Sequence, residues 1–405
     1  MTSETDVDVL VIGSGPAGSA ASCALARHGL KVILADKHEF PRDKVCGDAL
    51  IPDALNALRK LLLKDEVLLR ASHLDTIRIY APNGSYVALR GEFACLPRFD
   101  FDELLRRAAV ESGSSFLAPR EAVAPVLKDG KVAGAILRNT VTGERVPIKA
   151  RVTVLATGAA AETLLSFGVC LRTAPSAVAA RVYVKTDQQF RGGFDYLCIS
   201  YDKAICPGYG WIFPGPDDTF NVGVGVFRDT SANPPSPNLR KILETFLKTF
   251  PPAQEVMARS KLVTRLQGAP LRTALQGAEF GRPGLLVIGE AAGLTFSFSG
   301  EGIGKAIESG LMAADVIASV LSEPAQDVVR LARVYANQLV STYRDRFRAY
   351  EIAQKWLSFP AFANFLASRA RSGRYVRRHL EGLLTESSDP LTLFSVTGLL
   401  KSLVC

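Results

Sequence analysis

Six residues near the start of the chain have the types and spacing to hold a phosphate-rich nucleotide: Gly13, Gly15, Pro16, Ala17, Gly18 and Asp36. Gly13 permits a tight turn. Gly15 has no Cβ, so the backbone there can approach a pyrophosphate, and Gly18 lets a helix pack close to a strand. The free N–H groups of the helix start, which includes Pro16 and Ala17, present about half a positive charge to the anion. Asp36, followed by Lys37, lies 18 residues past Gly18, where its carboxylate can accept both ribose hydroxyls of an adenosine and repel a 2′-phosphate. A lone GxGxxG is a weak signal, and a tight turn without ligand is the plain alternative. Dinucleotide binding is favoured because the flanking elements fall in register.

Those elements can be read from the residues around the loop. Residues 8–12 form a short buried strand, 19–28 an alanine-rich helix stopped at Gly29, and 31–35 a second strand, giving a βαβ unit. Further on, 52–63 reads as a helix. Residues 75–90 read as a hairpin about Asn83-Gly84, and 101–110 as a helix with Asp100 as its N-cap. Residues 123–148 read as three strands broken at Asp129-Gly130 and Thr142-Gly143, and 152–156 as a separate buried strand ending at Thr157-Gly158. Residues 171–273 alternate apolar and polar positions between many prolines, with one helix at 239–250, and predict a mostly antiparallel unit. A buried strand follows at 284–289, then a glycine-rich turn, a helix over 303–320, and a helical region from Asp327 broken at Phe359-Pro360.

Composition narrows the function classes. With 405 residues, 48% of them hydrophobic and 22% charged, the chain is too apolar for disorder and long enough for two structural units. The seven cysteines are scattered without a CxxC pair, so neither a disulfide framework nor a zinc site is expected, and a reducing cytoplasm is the expected compartment. The polar, acidic start predicts no secretory signal, and no apolar run is long enough to predict a spanning helix. The net charge of +8 is concentrated: residues 328–380 hold eleven basic residues against Asp345 and Glu351. A solvated helical face is the plain reading, with an anionic membrane surface or an acidic partner as the sharper ones. No motif for nucleic acid accompanies the charge, so that partner is not expected. Residues 391–404 are apolar apart from a few positions and predict a docked terminal helix, with peripheral membrane contact as the alternative.

Four stretches together resemble the FAD-dependent oxidoreductases of the geranylgeranyl reductase family, within the para-hydroxybenzoate-hydroxylase-like group. The first is the dinucleotide loop. The second, Lys44-Val45-Cys46-Gly47, is similar to a K-x-C-G segment lying over the flavin. The third, Tyr209-Gly210-Trp211-Ile212-Phe213-Pro214, is similar to a Y-x-W-x-F-P strand lining the substrate cavity. The fourth, Gly289-Glu290-Ala291-Ala292-Gly293 with Gly300-Glu301-Gly302-Ile303, is similar to a second flavin-binding motif. Glu290 stands where the family usually carries Asp. Arg98 matches an arginine that contacts the cofactor, and Thr157-Gly158 sits where the FAD site closes; hydroxylases of the group usually carry Asp-Gly there.

The resemblance implies an α/β fold: a Rossmann-like FAD-binding domain (1–70, 97–170 and 275–326), an inserted antiparallel-sheet substrate domain (71–96 and 171–274) and C-terminal helices (327–405). It implies FAD as cofactor, with NADPH or NADH as a transient electron donor or a protein donor in its place. The reaction it implies is hydride transfer from reduced flavin N5 to a double bond of an apolar, isoprenoid-like substrate. Cys46, with Arg42 and Lys44 as cationic neighbours, is expected near flavin and substrate, as a proton donor or as part of the cavity wall. Tyr209 and Trp211 are the other catalytic candidates, and with Phe213 they should share one face of a strand; core packing is their plain alternative. A flavin monooxygenase, a halogenase and a dehydrogenase remain alternatives. The halogenase pattern has a catalytic lysine in the early substrate region, and residues 71–90 contain none.

Overall fold

The computed structural model describes residues 6–227, 237–297, 299–395, 397–398 and 401–402. Two sheets organise it. The first has the spatial order Gly281–Arg282, Leu285–Val287, Arg145–Leu155, Val7–Ile12, Val32–Ala35 and Ser115–Leu117. Its central strands run parallel, with Val7–Ile12 between Val32–Ala35 and Arg145–Leu155, as a βαβ start dictates. Strands buried on both faces read as continuous apolar runs, and VLVI and VILA do so.

The strand at 152–156 differs from its expectation. It is the second half of one long strand, Arg145–Leu155. The first half pairs antiparallel with Lys131–Asn139 in the expected meander, and the second half pairs parallel with Val7–Ile12. The helix expected over 101–110 runs over Arg98–Glu111. Pro97 is its cap and Asp100 sits in the first turn, so Asp100 is not the N-cap.

The second sheet has the order Ser260–Leu262, Ala177–Thr186, Thr219–Phe227, Gly208–Pro214, Leu197–Ser200, Ser72–Tyr80, Tyr86–Cys95 and Ala49–Leu50, with Gln267–Leu271 also paired to Ala177–Thr186. It is antiparallel except where Leu197–Ser200 runs parallel to Ser72–Tyr80. The Asn83-Gly84 hairpin forms where expected.

The helix Val328–Leu357 joins the two halves. Its 30 residues span about 45 Å at 1.5 Å per residue. Leu331, Tyr335, Leu339, Tyr343, Phe347 and Tyr350 belong to the core of the first sheet, and Ala353 to that of the second. Pro360–Ser372 and Arg374–Leu384 follow the break at Phe359. Of the apolar terminal stretch, Pro390–Phe394 is a short helix with Leu393 and Phe394 buried. Val396, Leu399, Leu400, Leu403, Val404 and Cys405 lie outside the described residues. Among the described residues no helix is long and apolar enough to cross a membrane.

Candidate active site

The glycine loop takes its shape from contact geometry. Gly13 has a φ of +103°, and a Cβ on it would lie 2.4 Å from the Ala156 carbonyl oxygen. A Cβ on Gly18 would lie 1.8 Å from the Gly13 carbonyl oxygen. Both positions exclude a side chain so that strand, turn and helix can close up. Asp36 is buried and fastens the turn: its carboxylate accepts from Ser14 N–H at 2.7 Å and from His38 N–H at 2.9 Å. Lys37 is exposed beside it.

Gly15 is different. A Cβ there would meet only two guanidinium nitrogens, of Arg42 at 3.9 Å and of Arg98 at 4.0 Å. Its space is open on the side where two cations converge. Both arginines are held by the fully buried Asp102. Arg98 donates to it at 2.6 and 2.8 Å, and Arg42 lies 2.8 Å away. Burial opposes the Arg98 charge, but Asp102 and Cys46 outweigh it and hold the guanidinium protonated.

A second helix start faces the same region. Gly289 packs so tightly on Ala17 that a Cβ would lie 2.7 Å from the Ala17 methyl. Glu290 lies in the turn Gly289–Ala292, with Lys44 at 3.9 Å. A Cβ on Gly158 would be 3.5 Å from the Glu290 carboxylate, so Thr157-Gly158 and Glu290 are brought together. The Thr157 hydroxyl is enclosed without a hydrogen-bond partner. The helices Pro16–Arg27 and Ile303–Ser322 begin at Gly15 and Gly302, and neither has a side-chain cap. Two uncapped starts, two convergent guanidiniums and an unpaired enclosed hydroxyl fit a diphosphate-bridged dinucleotide such as FAD.

The Lys44–Asp48 loop is tied to the second sheet. Asn221 donates its amide N–H to the Cys46 carbonyl and to the Asp48 carboxylate, both at 2.7 Å, and accepts the Trp211 indole N–H at 2.8 Å. Tyr183 donates its hydroxyl to the same Asp48 carboxylate. Burial pushes Asp48 up to about 6, against the hydrogen bonds from Tyr183 and Asn221. One residue upstream of Lys44, Asp43 accepts from the fully buried Arg181 at 2.6 and 2.7 Å. The cations expected to act on Cys46 are engaged elsewhere: Arg42 pairs with Asp102, and Lys44 lies near Glu290. The guanidinium on whose charge the Cys46 thiol acts is that of Arg98.

Tyr209, Trp211 and Phe213 stack in sequence along Gly208–Pro214, with ring centroids 5.8 and 6.4 Å apart. They share one face, and this face presses on the loop: a Cβ on Gly47 would lie 2.9 Å from the Phe213 ring and 3.5 Å from the Trp211 nitrogen. At the far end of the row, Tyr201 and Phe227 flank Tyr209 at 6.1 and 5.8 Å. They also line a small open cleft, together with Leu357 and Pro360.

The family described as FAD binding domain matches residues 6–332. This chain belongs to that family. The flavoprotein is 30% identical over 326 residues to a digeranylgeranylglycerophospholipid reductase of Sulfolobus acidocaldarius, covering 78% of this chain and 70% of the relative. It is 28% identical over 382 residues to a menaquinone reductase of Mycobacterium tuberculosis, covering 89% of this chain and 86% of the relative. Among solved structures, a geranylgeranyl bacteriochlorophyll reductase-like protein of Thermoplasma acidophilum has the same fold, with a TM-score of 0.78, 23% identity and coverage of 98% and 96%. A flavin-dependent brominase also shares it, at a TM-score of 0.77 and 20% identity, with 98% of both chains covered. The flavoprotein is therefore an FAD-dependent oxidoreductase of the reductase type that its sequence resembles.

Sequence reasoning missed Asp102, Asn221, Tyr183 and Arg181. Asp102 had a signal, because it stands four residues after Arg98 on a helix and so on the same face. The other three lie on strands far from the loop in sequence, and nothing local marks them.

Proposed function

We propose that the flavoprotein reduces carbon–carbon double bonds of an isoprenoid-type substrate that enters by the cleft at Tyr201 and Phe227 and reaches the cofactor cradle beside Tyr209. One observation supports the reading: the aromatic row packs on the motif loop at Gly47, and Tyr201 and Phe227, which flank Tyr209 at its far end, line a cleft at the surface. The relatives named for menaquinone and for digeranylgeranylglycerophospholipid support an isoprenoid substrate.

Gly13, Gly15, Pro16, Ala17, Gly18 and Asp36 would hold the adenosine and diphosphate, with Lys37 at the margin. Arg42 and Arg98 would neutralise the phosphates. Thr157, Gly158, Gly289, Glu290 and Lys44 would line the ribityl side. Gly300, Glu301, Gly302 and Ile303 would present the second helix start to the flavin ring, with Cys46 and Gly47 covering it. When bound and reduced, FAD supplies the hydride. The aromatic row orients the substrate and excludes water, and Tyr209 and Cys46 are the nearest groups on it and the loop that carry protons. A reduced nicotinamide or a small redox protein is the electron donor of this reading. The first sheet is the cofactor half and the second the substrate half. Trp356 and Phe359, 38% and 64% exposed beside the mouth of the cleft, with Arg348 and Lys355 exposed on the helix of Trp356 and Arg371, Arg374, Arg377 and Arg378 exposed on the two helices that follow, suit an anionic lipid surface.

The test is anaerobic. Dithionite-reduced holoprotein is mixed with digeranylgeranylglycerophospholipid, and the lipid is weighed by mass spectrometry. The expected product gains two hydrogens per double bond as the flavin is reoxidised. Reoxidation by oxygen alone, with the lipid unchanged, overturns the reading.

A further inference from the structure

We propose that the enclosed cluster of Asp53, Lys305, Glu308 and Glu386 is a proton conduit, and that through it Glu301 and Tyr209 receive the proton consumed at each reduction. The inference rests on the reductase reading above. Saturating a double bond places a hydride on one carbon and a proton on the other. The hydride comes from reduced flavin, and the chain must deliver the proton into an apolar site.

Glu301 stands between cofactor cradle and substrate wall. It immediately precedes Gly302, where the helix Ile303–Ser322 begins. Its other neighbour, Gly300, lies against the Tyr209 hydroxyl, which a Cβ there would approach to 2.2 Å. The Glu301 carboxyl acts on the charge of the Tyr201, Tyr209 and Tyr350 phenols, and the Cys46 thiol acts on that of Tyr209.

Asp53 lies against the same helix start, where a Cβ on Gly304 would collide with its carboxylate, and Asp53, Lys305 and Glu386 all act on the charge of the Glu301 carboxyl. Lys305 is 1% exposed, and its ammonium reaches Glu308 at 2.6 Å, Glu386 at 2.9 Å and Asp53 at 3.7 Å. Tyr343 donates its hydroxyl to Glu308 at 2.8 Å. Arg346 lies 3.8 Å from the Glu386 carboxylate and donates to the Glu386 backbone carbonyl at 2.9 Å. One Asp53 oxygen is buried without a hydrogen-bond partner. The Glu386 side chain, a quarter exposed, reaches solvent.

Charge balance decides what such a group does. Four carboxyls, of Asp53, Glu301, Glu308 and Glu386, face two cations, Lys305 and Arg346. An enclosed excess of acid must retain protons. Burial pushes Glu301 up to about 8, with Asp53 and Glu386 adding and Ser299 and Lys305 opposing. Burial likewise raises Asp53 well above the carboxylate range, against Lys305. Burial keeps the Tyr209 phenol protonated, with Cys46 and Glu301 adding to the effect. In the step, the Tyr209 O–H bond breaks as the substrate C–H bond forms. The Glu301 O–H proton then restores the phenol, and the Glu301 carboxylate is reloaded from water by way of Glu386 and Asp53.

The test follows flavin reoxidation by digeranylgeranylglycerophospholipid in anaerobic stopped flow across a pH series. Wild type should hold its rate at low pH and lose it as pH rises through about 8, where Glu301 gives up its proton. Glu301→Gln should keep FAD, lose about 100-fold or more in rate, and lose the alkaline limb. Glu386→Gln changes a quarter-exposed position and should keep FAD while its limb moves to lower pH, because one charge that holds the Glu301 proton is gone. A Glu301→Gln protein with the wild-type rate and limb overturns the conduit alone. Wild-type flavin that the lipid never reoxidises overturns the reductase reading with it.

Discussion

At the scale of single residues, the cradle separates glycines that shape the fold from one that makes room. A Cβ on Gly18 would collide with the Gly13 carbonyl, so Gly18→Ala should cost the apoprotein about 1–3 kcal/mol of stability, read as a lower thermal midpoint, and should also lower its flavin content. A Cβ on Gly15 meets nothing closer than 3.9 Å. Gly15→Val should therefore leave the apoprotein's melting unchanged and abolish the flavin absorbance of the purified protein. Arg98→Ala should both weaken FAD and cost about 3–5 kcal/mol, because Asp102 would remain buried with Arg42 alone. Cys46→Ala should lower turnover while leaving FAD bound. Wild-type turnover in that variant would remove the thiol from the chemistry, and the conduit through Tyr209 would stand without it.

At the scale of elements, the sequence told most where a segment has one kind of surroundings. The βαβ start, the hairpin about Asn83-Gly84 and the helix after the second glycine motif each keep one hydrophobic period throughout, and each was legible. Arg145–Leu155 was read as two pieces because its environment changes along its length. It alternates where it pairs with the meander and turns continuously apolar where it is covered on both faces. The start of Arg98–Glu111 was misplaced because capping preference pointed to Asp100, whereas the Arg98 pairing with Asp102 draws Arg98 into the first turn. Asn221 gave no signal: it is a single amide in the apolar strand Thr219–Phe227, and only the fold shows that it joins Trp211, Cys46 and Asp48. Asn221→Ala removes the partner of the Trp211 indole N–H and of the Cys46 carbonyl, and leaves the Asp48 carboxylate to Tyr183. It should cost about 1–3 kcal/mol and reduce turnover more than FAD content, as judged by chemical denaturation beside steady-state rates.

At the scale of the whole molecule, the charge excess gains a location. The basic residues that composition placed in 328–380 are spread over three helices, Val328–Leu357, Pro360–Ser372 and Arg374–Leu384, and Trp356 and Phe359 stand out from the surface where the first gives way to the second. The protein should co-sediment with vesicles containing anionic lipid, release them as salt rises, and bind them less well as the Trp356→Ala and Phe359→Ala double variant. Equal binding to neutral vesicles would assign that surface to another partner.

The loop from Arg42 to Asp48 has a wider consequence. Along it, Arg42 and Lys44 reach to the cradle side, while Asp43, Cys46 and Asp48 are fastened to the second sheet. In the proposed reading, one short segment belongs to two binding events. Whatever free energy the substrate gains by settling this segment is returned in full to the cofactor, because linkage between two ligands is reciprocal. Titrating FAD into apoprotein with and without substrate should give affinities whose ratio equals the ratio by which FAD tightens the substrate. Severing the segment from the sheet at Asn221 should bring that ratio toward one, leaving each ligand to bind as if the other were absent.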